Sequence, residues 1–377
     1  MPFAPAAAPA VIDVTALASL IPLLAARGYE VIGPVVRDAA VVYDAVEKLE
    51  DLPAGWTDEQ DAGRYRLAHT GGPELFGYTI PAQSCKRYLH PPEVLVFDGH
   101  RDDGDFRIVP PTPITTKYAF LGVRACDLSA IAVQDRVFMA DRYLERGYSV
   151  RRSNALIIAA NCTRASRTCF CKSMETGPRA KGGYDISLTE LAQDGRHVFL
   201  VETGSEAGAE LLAELERRDA TEADIAAAEA AVCRAERQTR SVRTEGIKEL
   251  LYESFEHSRW EKTAGRCFAC GNCTLVCPTC FCNTIEESLD IPGEHAERWR
   301  KWDSCFTEQF SYIHGGSVRQ SVRSRYRQWL THKLGSWIDQ FGTSGCVGCG
   351  RCIAWCPAKI DITEEVAALG GLEGRNG

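Results

Sequence analysis

The chain has 377 residues, 45% of them hydrophobic, and a formal net charge of -8. This length is enough for two domains with buried cores, and the acidic balance excludes general nucleic-acid binding, which needs a basic face. No run of about 18 uncharged apolar residues is present and the first residues lack a basic signal segment, so we expect a cytoplasmic protein without a membrane span. Seventeen cysteines in a reducing compartment favour metal ligation or catalytic thiols over disulfides.

The first half of the sequence has the pattern of an α/β domain. Residues 1–20 are alanine-rich and are expected to form a flexible tail. Within residues 21–205, apolar and β-branched runs at 93–99, 117–126 and 154–162 are typical of buried strands. The segment DLSAIAVQDRVF follows the second run, and Asp127 is expected to be the N-cap of a helix there.

Two of these predicted strands end in a cysteine, at Cys126 and Cys162, and Cys169 and Cys171 follow shortly after. Ligands of open α/β sheets collect in the loops at the carboxyl ends of strands. Four thiolates are the number that a [4Fe-4S] cluster needs, so these residues are candidate ligands of one cluster. Their spacing is irregular, and the alternative is that they pack as small buried hydrophobic residues.

Residues 206–256 are predicted to form a helical connector without chemistry of its own. The segment TEADIAAAEAAVCRAERQ is rich in alanine and glutamate, and Thr221 with Asp224 resembles a capping box. Further on, Ile247, Leu250, Leu251 and Phe255 are spaced for one face of a helix.

A doubled cysteine run marks residues 257–377. The spacing C-x2-C-x2-C-x3-C-P occurs at 267–278 and again at 346–357. It is the ligand pattern of bacterial two-cluster ferredoxins, in which the cysteine before proline binds the other cluster. One [4Fe-4S] cluster is therefore expected on Cys267, Cys270, Cys273 and Cys356, and a second on Cys277, Cys346, Cys349 and Cys352. Zinc is the alternative, although zinc sites usually use two separated C-x2-C pairs.

The insert between the two runs is longer than in compact ferredoxins. The segments IPGEHAERWRKW and RQSVRSRYRQWLTHKL are predicted to be helical, so we expect a mainly α-helical, ferredoxin-like C-terminal domain. Its basic residues could form a docking face, favour reduced clusters or simply be a solvated helix face; they are Arg319, Arg323, Arg325, Arg327, His332 and Lys333. Cys280, Cys282 and Cys305 could belong to a further site or serve packing.

Motifs for nucleotide binding or hydrolysis are missing: there is no G-x-G-x-x-G after a strand, no P-loop and no H-E-x-x-H. One-electron centres without a two-electron substrate site indicate a non-catalytic electron-transfer subunit, although its status as an enzyme stays uncertain. The alternative is an oxidoreductase in its own right that binds a flavin or a small substrate beside Cys126. His90 in YLHPPE lends this alternative some support, but a structural histidine in a turn is more common.

Five segments together resemble the 4Fe-4S dicluster subunits typified by the iron-sulfur subunit of anaerobic sulfite reductase and by the sulfhydrogenase beta subunit. They are FLGVRACDL, NCTRASRTCFCKSMETGP, RCFACGNCTLVCPTCFC, RWRKWDSCF and GCVGCGRCIAWCPAKIDI. The resemblance implies a cytoplasmic hetero-oligomer in which this subunit relays electrons between a subunit that binds FAD and NAD(P) and a nickel-iron hydrogenase with small and large subunits. In the sulfite reductase alternative, the catalytic partner is a sirohaem subunit.

Overall fold

A computed structural model describes residues 8–102, 104–140, 143–193 and 195–371. Strands of this part of the chain are numbered here in chain order. They are β1 (Ala10–Asp13), β2 (Tyr29–Arg37), β3 (Ala40–Ala45), β4 (Trp56–Asp61), β5 (Arg64–His69), β6 (Glu93–Asp102), β7 (Asp105–Val109), β8 (Lys117–Val123), β9 (Met139–Ala140), β10 (Tyr143–Leu144), β11 (Leu156–Ala160), β12 (Ile186–Gln193), β13 (Arg196–Thr203), β14 (Arg218–Asp219), β15 (Asn283–Leu289), β16 (His295–Trp302), β17 (Tyr312–Ile313) and β18 (Gly316–Ser317).

The α-helices of the same residues are numbered in the same way. They are α1 (Val14–Ala26), α2 (Lys86–Leu89), α3 (Ala125–Phe138), α4 (Arg146–Ser153), α5 (Glu206–Ala213), α6 (Glu222–Ala235), α7 (Ile247–Glu253), α8 (Arg259–Ala264), α9 (Asn272–Leu275), α10 (Val322–Thr331), α11 (Trp337–Phe341), α12 (Arg351–Ala354) and α13 (Ile362–Leu369). Single 3-10 turns occur at Leu49–Asp51 and Glu308–Ser311, and a π-helical turn at His332–Ser336 joins α10 to α11.

An eight-stranded mixed sheet forms the core of the first half, in the order β14-β1-β13-β12-β11-β8-β2-β3. Its central strands β2, β8, β11 and β12 run parallel, and antiparallel strands flank them on both sides. Strands β8 and β11 are buried as expected from their continuous apolar runs. The expected α/β architecture of the first half is confirmed.

A second sheet joins the two halves of the chain. Its order is β15-β16-β6-β7, so β6 from the first half pairs with β16 from the insert between the cysteine runs. The helix predicted for IPGEHAERWRKW is wrong, because His295–Trp302 forms the strand β16. Backbone pairing on both edges of β16 outweighs the helix propensity of its residues. With β15 to β18 in the C-terminal part, its mainly helical composition is not confirmed, whereas the helix predicted for the second segment is present as α10.

The start of the chain is more ordered than expected. Residues 10–20 do not form the predicted flexible tail but instead make up β1 and the first part of α1. Strand β1 lies between β13 and β14, and Leu17 and Leu20 of α1 are buried in the core. The side chain of Asp13 caps α1 by accepting a hydrogen bond of 2.8 Å from the Ala16 N–H. Residues 1–7 lie outside the described residues.

The connector is helical in the main, with β14 as a short strand inside it. The capping box is present at α6: Thr221 Oγ1 accepts from the Asp224 N–H at 3.2 Å, and Asp224 Oδ2 accepts from the Thr221 N–H at 3.0 Å. Ile247 and Leu251 of α7 are buried, but Phe255 lies beyond the end of that helix and is 51% exposed. Among the described helices, none has the length and apolar character needed to cross a membrane.

Candidate metal centre

The first cysteine run begins after α8 with a tight turn and continues through the short helix α9. Ala269 and Gly271 both have positive φ angles, 52° and 76°, which turn the backbone back on itself. As a result the Ala269 N–H points at the Cys267 sulfur, with an N···Sγ distance of 3.4 Å. Such N–H groups stabilise negative charge on thiolates, so this turn suits cluster ligation.

The second run repeats this turn. The Gly348 N–H points at Cys346 Sγ, 3.5 Å away, and both Gly348 and Gly350 have positive φ angles. A Cβ atom on Gly348 would lie 2.7 Å from the backbone of Cys171, which no real contact tolerates. The Phe170 N–H also donates to the Gly348 carbonyl at 2.9 Å. The loop with Cys169 and Cys171 therefore packs directly against the second run.

The last cysteine of the second run reaches the first run. Cys267, Cys270, Cys273 and Cys356 line one cavity, next to Tyr326 and Trp329 of α10, and Cys352 of the other predicted set also reaches its wall. Burial raises the pKa of Cys273 well above its usual value. Negative charge on Cys267 and Cys356 would raise it further, as expected for thiols that line the same cavity.

Cys277 shows the reciprocal crossing. Cys277 is buried. The pKa of Cys352 is raised by burial, and negative charge on Cys346, Cys349 and Cys277 would raise it further. The structure thus brings Cys277 to the three cysteines that begin the second run. Within each of the two ligand sets that the spacing predicts, the cysteines lie close together. That each set binds a cluster stays a prediction.

The upstream cysteines also converge. Cys126 and Cys171 belong to one buried cluster of side chains with Cys349 of the second run. Burial raises the pKa of Cys171, and charge on Cys169 and Cys162 would add to that rise. The sequence pattern predicts Cys126 at a strand end, but it lies in the first turn of α3, just beyond β8. Cys171 therefore lies near each of the other three candidate ligands, beside the second run.

Asp127 does not have the expected capping role. The N-cap of α3 is Arg124, and no side chain caps it. Asp127 instead accepts two hydrogen bonds from the Arg351 guanidinium, at 2.6 and 2.8 Å, in a fully buried ion pair. Since Arg351 follows Gly350 in the second run, this pair fixes α3 to that run.

Lys333 is a buried cation, although its sequence neighbours suggest a basic surface. It lies in the π-helical turn, and its Nζ is 3.2 Å from Cys277 Sγ and 3.7 Å from Cys280 Sγ. A hydrogen bond from Cys280 and the charge on Lys333 lower the pKa of Cys277. A π-helical turn often marks a functional position, but it has no simple sequence signature.

The remaining thiols of the insert lie near this lysine. A hydrogen bond between Cys282 and Cys305 lowers the pKa of Cys282, and Lys333 lowers it too. Strand pairing explains the approach, because the Asp303 N–H donates to the Cys282 carbonyl at 2.9 Å. Cys85 is buried elsewhere, under the main sheet, and Cys233 is exposed on α6.

The other basic residues of the insert do not share one face. Arg325 is buried, whereas Arg323 bonds Glu256 at 2.6 Å and Arg327 stacks on Phe255 at 3.5 Å. The basic segment as a whole is therefore neither a solvated helix face nor a single docking face.

His90 is fully buried between Phe138 and Trp302. Burial lowers its pKa to about 3, so the ring is neutral at pH 7. This environment fits the structural role that a histidine in a turn usually has.

The donor set as a whole fits iron-sulfur clusters. Burial raises the pKa of Cys346 to about 12 and of Cys349 to about 11, so these thiols are protonated at pH 7 unless a metal takes the place of the proton. A [4Fe-4S] cluster requires four thiolates, and Cys267, Cys270, Cys273 and Cys356 line the same cavity, with Cys352 of the neighbouring set beside them.

Comparison with known proteins agrees with this chemistry. Residues 266–360 match the 4Fe-4S dicluster domain. Sulfhydrogenase 2 subunit beta from Pyrococcus furiosus is 36% identical over 260 residues, which cover 66% of this chain and 74% of that subunit. No solved structure matches the chain. The chain belongs to the family of iron-sulfur electron-transfer subunits that includes the sulfhydrogenase beta subunit.

Proposed function

We propose that this chain relays electrons between a subunit that binds FAD and NAD(P) and the catalytic module of a nickel-iron hydrogenase. The observation that carries the proposal is the continuity of the three cysteine sets. Negative charge on Cys273 of the first set would raise the pKa of Cys352 of the second set. Negative charge on Cys349 of the second set would likewise raise the pKa of Cys126 of the upstream set. Such neighbouring sets are suited to passing electrons one at a time.

The ligands follow from the crossing. Cys267, Cys270, Cys273 and Cys356 would hold one [4Fe-4S] cluster, and Cys277, Cys346, Cys349 and Cys352 the second. A cluster held by each set would supply a one-electron redox centre. The protein's own part is to exclude water, to direct N–H groups at the sulfurs and to place the positive charge of Lys333 beside Cys277.

A third [4Fe-4S] cluster would be held by Cys126, Cys162, Cys169 and Cys171. Support comes from the contact of Cys126 and Cys171 with Cys349 and from the effect of Cys162 and Cys169 on the pKa of Cys171. In this arrangement the second cluster would lie between the third and the first. We take residues 257–377 as the dicluster unit, with 21–205 as the α/β unit beside it and 206–256 as their connector.

The partners are inferred from the relative's name, since Sulfhydrogenase 2 subunit beta is one subunit of a hydrogenase. We place the complex in the cytoplasm and expect small and large hydrogenase subunits beside the reductase subunit. Anaerobic purification of the tagged chain from its native cell, followed by metal analysis, tests this. Nickel in the purified complex supports the hydrogenase, and sirohaem without nickel would instead identify a sulfite reductase.

The chain alone should not oxidise NAD(P)H with a viologen dye until a flavin subunit is added. Sustained turnover by the purified single chain, together with bound flavin, would mean that it is an oxidoreductase in its own right.

A further inference from the structure

We propose that Asp98, His100 and His295 form a site for a divalent transition-metal ion such as Zn²⁺, separate from the cysteine sets. Asp98 and His100 lie on β6, two residues apart, so their side chains point to the same face of the sheet. His295 lies on β16 directly opposite His100. Two neighbouring strands thus bring two imidazoles and one carboxylate together.

The ligand atoms of these residues converge on one point. Asp98 Oδ1 is 2.7 Å from His295 Nε2 and 3.2 Å from His100 Nε2, and all three ligand atoms lie within 4.8 Å of one another. Zinc bonds of about 2.0–2.1 Å in a tetrahedral site separate the ligand atoms by about 3.3 Å. The two Asp98–imidazole distances each lie within about 0.6 Å of this separation, and two histidines with one carboxylate are a common zinc donor set.

Binding of one ion by both imidazoles requires at least one ring to rotate, because a metal bound through Nε2 lies in the plane of its imidazole and two stacked rings do not share a plane. The imidazoles of His100 and His295 are stacked, with centroids 4.6 Å apart and planes 12° from parallel. Both rings present Nε2 at the same edge of the stack, since both contact the same carboxylate oxygen. Glu297, the cross-strand partner of Asp98, accepts a hydrogen bond from the Trp299 indole N–H at 3.1 Å, and water would supply the fourth ligand of a tetrahedral ion.

The surrounding charges are mixed. Asp290 accepts a hydrogen bond from the His295 N–H at 3.0 Å and adds negative charge beside the site. Arg107 is the cross-strand partner of His100 and adds positive charge on the other side. Affinity must therefore come from direct coordination, which favours a transition metal over Ca²⁺ or Mg²⁺.

Bound metal would join two parts of the chain. Strand β6 belongs to the first half, whereas β16 belongs to the insert between the cysteine runs, and β6–β16 is the pairing that links them in this sheet. A metal that bridges the pairing would stabilise the insert against the first half. The inference is independent of the proposed electron relay.

The test uses the full chain, loaded with its clusters and purified anaerobically, with the exposed Cys233 replaced by serine in every sample so that it does not bind zinc. Zinc is added in small excess, unbound metal is removed by desalting, and zinc per chain and Tm are measured. The variants are H100A/H295A and D98N. The control is H314A, which removes an exposed histidine at the tip of the β17–β18 hairpin.

We expect the reference protein and H314A to retain about one zinc ion more per chain than H100A/H295A, and zinc to raise the Tm of the first two alone. The amide introduced by D98N can still accept hydrogen bonds from both imidazoles but is a weak zinc ligand, so this variant should fold and bind zinc at least about tenfold more weakly. Equal zinc retention in the reference protein and D98N would overturn the proposal and leave only a hydrogen-bonded Asp–His–His group.

Discussion

Arg351 and Asp127 form a fully buried ion pair, with two hydrogen bonds of 2.6 and 2.8 Å, between the second cysteine run and helix α3. Arg351 also donates to the carbonyls of Pro81 and Gln83, at 2.8 and 3.2 Å, so its guanidinium is engaged on two sides. Because Cys126 precedes Asp127, this pair holds the upstream thiols against the second run. The geometry of the proposed third cluster depends on it.

Removing either charge of this pair should be strongly destabilising, because the other charge would be left buried and unpaired. We expect R351M and D127N each to lower the free energy of unfolding by about 3–5 kcal/mol, measured by anaerobic denaturation with urea. The surface pair of Arg27 and Glu214 is the control, with side chains 32% and 51% exposed, and E214Q should cost at most about 1 kcal/mol. Similar losses for D127N and E214Q would contradict this role.

The charge on Lys333 should raise the reduction potential of the cluster that Cys277 helps to hold. Although burial opposes it, negative charge on Cys277 and Cys280 raises the pKa of Lys333, so the ammonium is charged at pH 7. A positive charge stabilises the reduced cluster, which carries the greater negative charge. K333M should therefore lower the potential in an EPR-monitored redox titration, while K333R should remain nearer the original value. An unchanged or higher potential in K333M would rule out this influence.

Gly348 should be required for the contact between the second run and the loop that carries Cys171. A Cβ atom there meets the Cys171 backbone at 2.7 Å, and the residue has a φ of 63°. Gly183 is a matched control, since its φ is 77° and nothing lies within 4 Å of an added Cβ. G183A should show only the backbone cost of about 1–2 kcal/mol, whereas G348A should also lose iron. Equal iron content in the two purified variants would argue against the close packing.

The upstream cysteines can be tested in the full chain by iron analysis. If they hold a cluster, C126A/C171A should lose about four irons of about twelve, as the ligand count of three cubanes implies. C85A removes another buried thiol that lies under the main sheet and should keep its iron. The full chain is the right sample, because Cys126 and Cys171 pack against Cys349 and a shorter fragment would expose them. No loss of iron in the double variant would reduce the relay to two clusters.

Local patterns in the sequence predicted much of this structure. The doubled cysteine spacing predicted that Cys277 and Cys356 each lie beside the other run, because the spacing of ligands reflects the shape of the cluster they bind. Continuous apolar runs predicted β8 and β11, and the Thr221–Asp224 pair predicted the start of α6. Each of these features depends on residues that are close together in the chain.

Features that depend on distant partners could not be predicted. The residues of β16 include good helix formers, and their strand state follows from pairing with β6, far away in the sequence. Asp127 occupies a position suited to capping, but it forms an ion pair with Arg351, which is far away in the sequence. Lys333 is one basic residue among several in its segment, and only the path of α10 and its π-helical turn directs it to Cys277.

In the proposed relay, ligation of the second cluster by Cys277 would make the two C-terminal clusters neighbours on one electron path. EPR spectra of anaerobically reduced C277A, C346A and C267A, compared in one experiment, test it most directly. Cys277 and Cys346 are proposed to bind the same cluster, so C277A should lose the signal that C346A loses and keep the one that C267A loses. If C277A instead lost the same signal as C267A, each cysteine run would hold its own cluster and the crossed arrangement would be wrong.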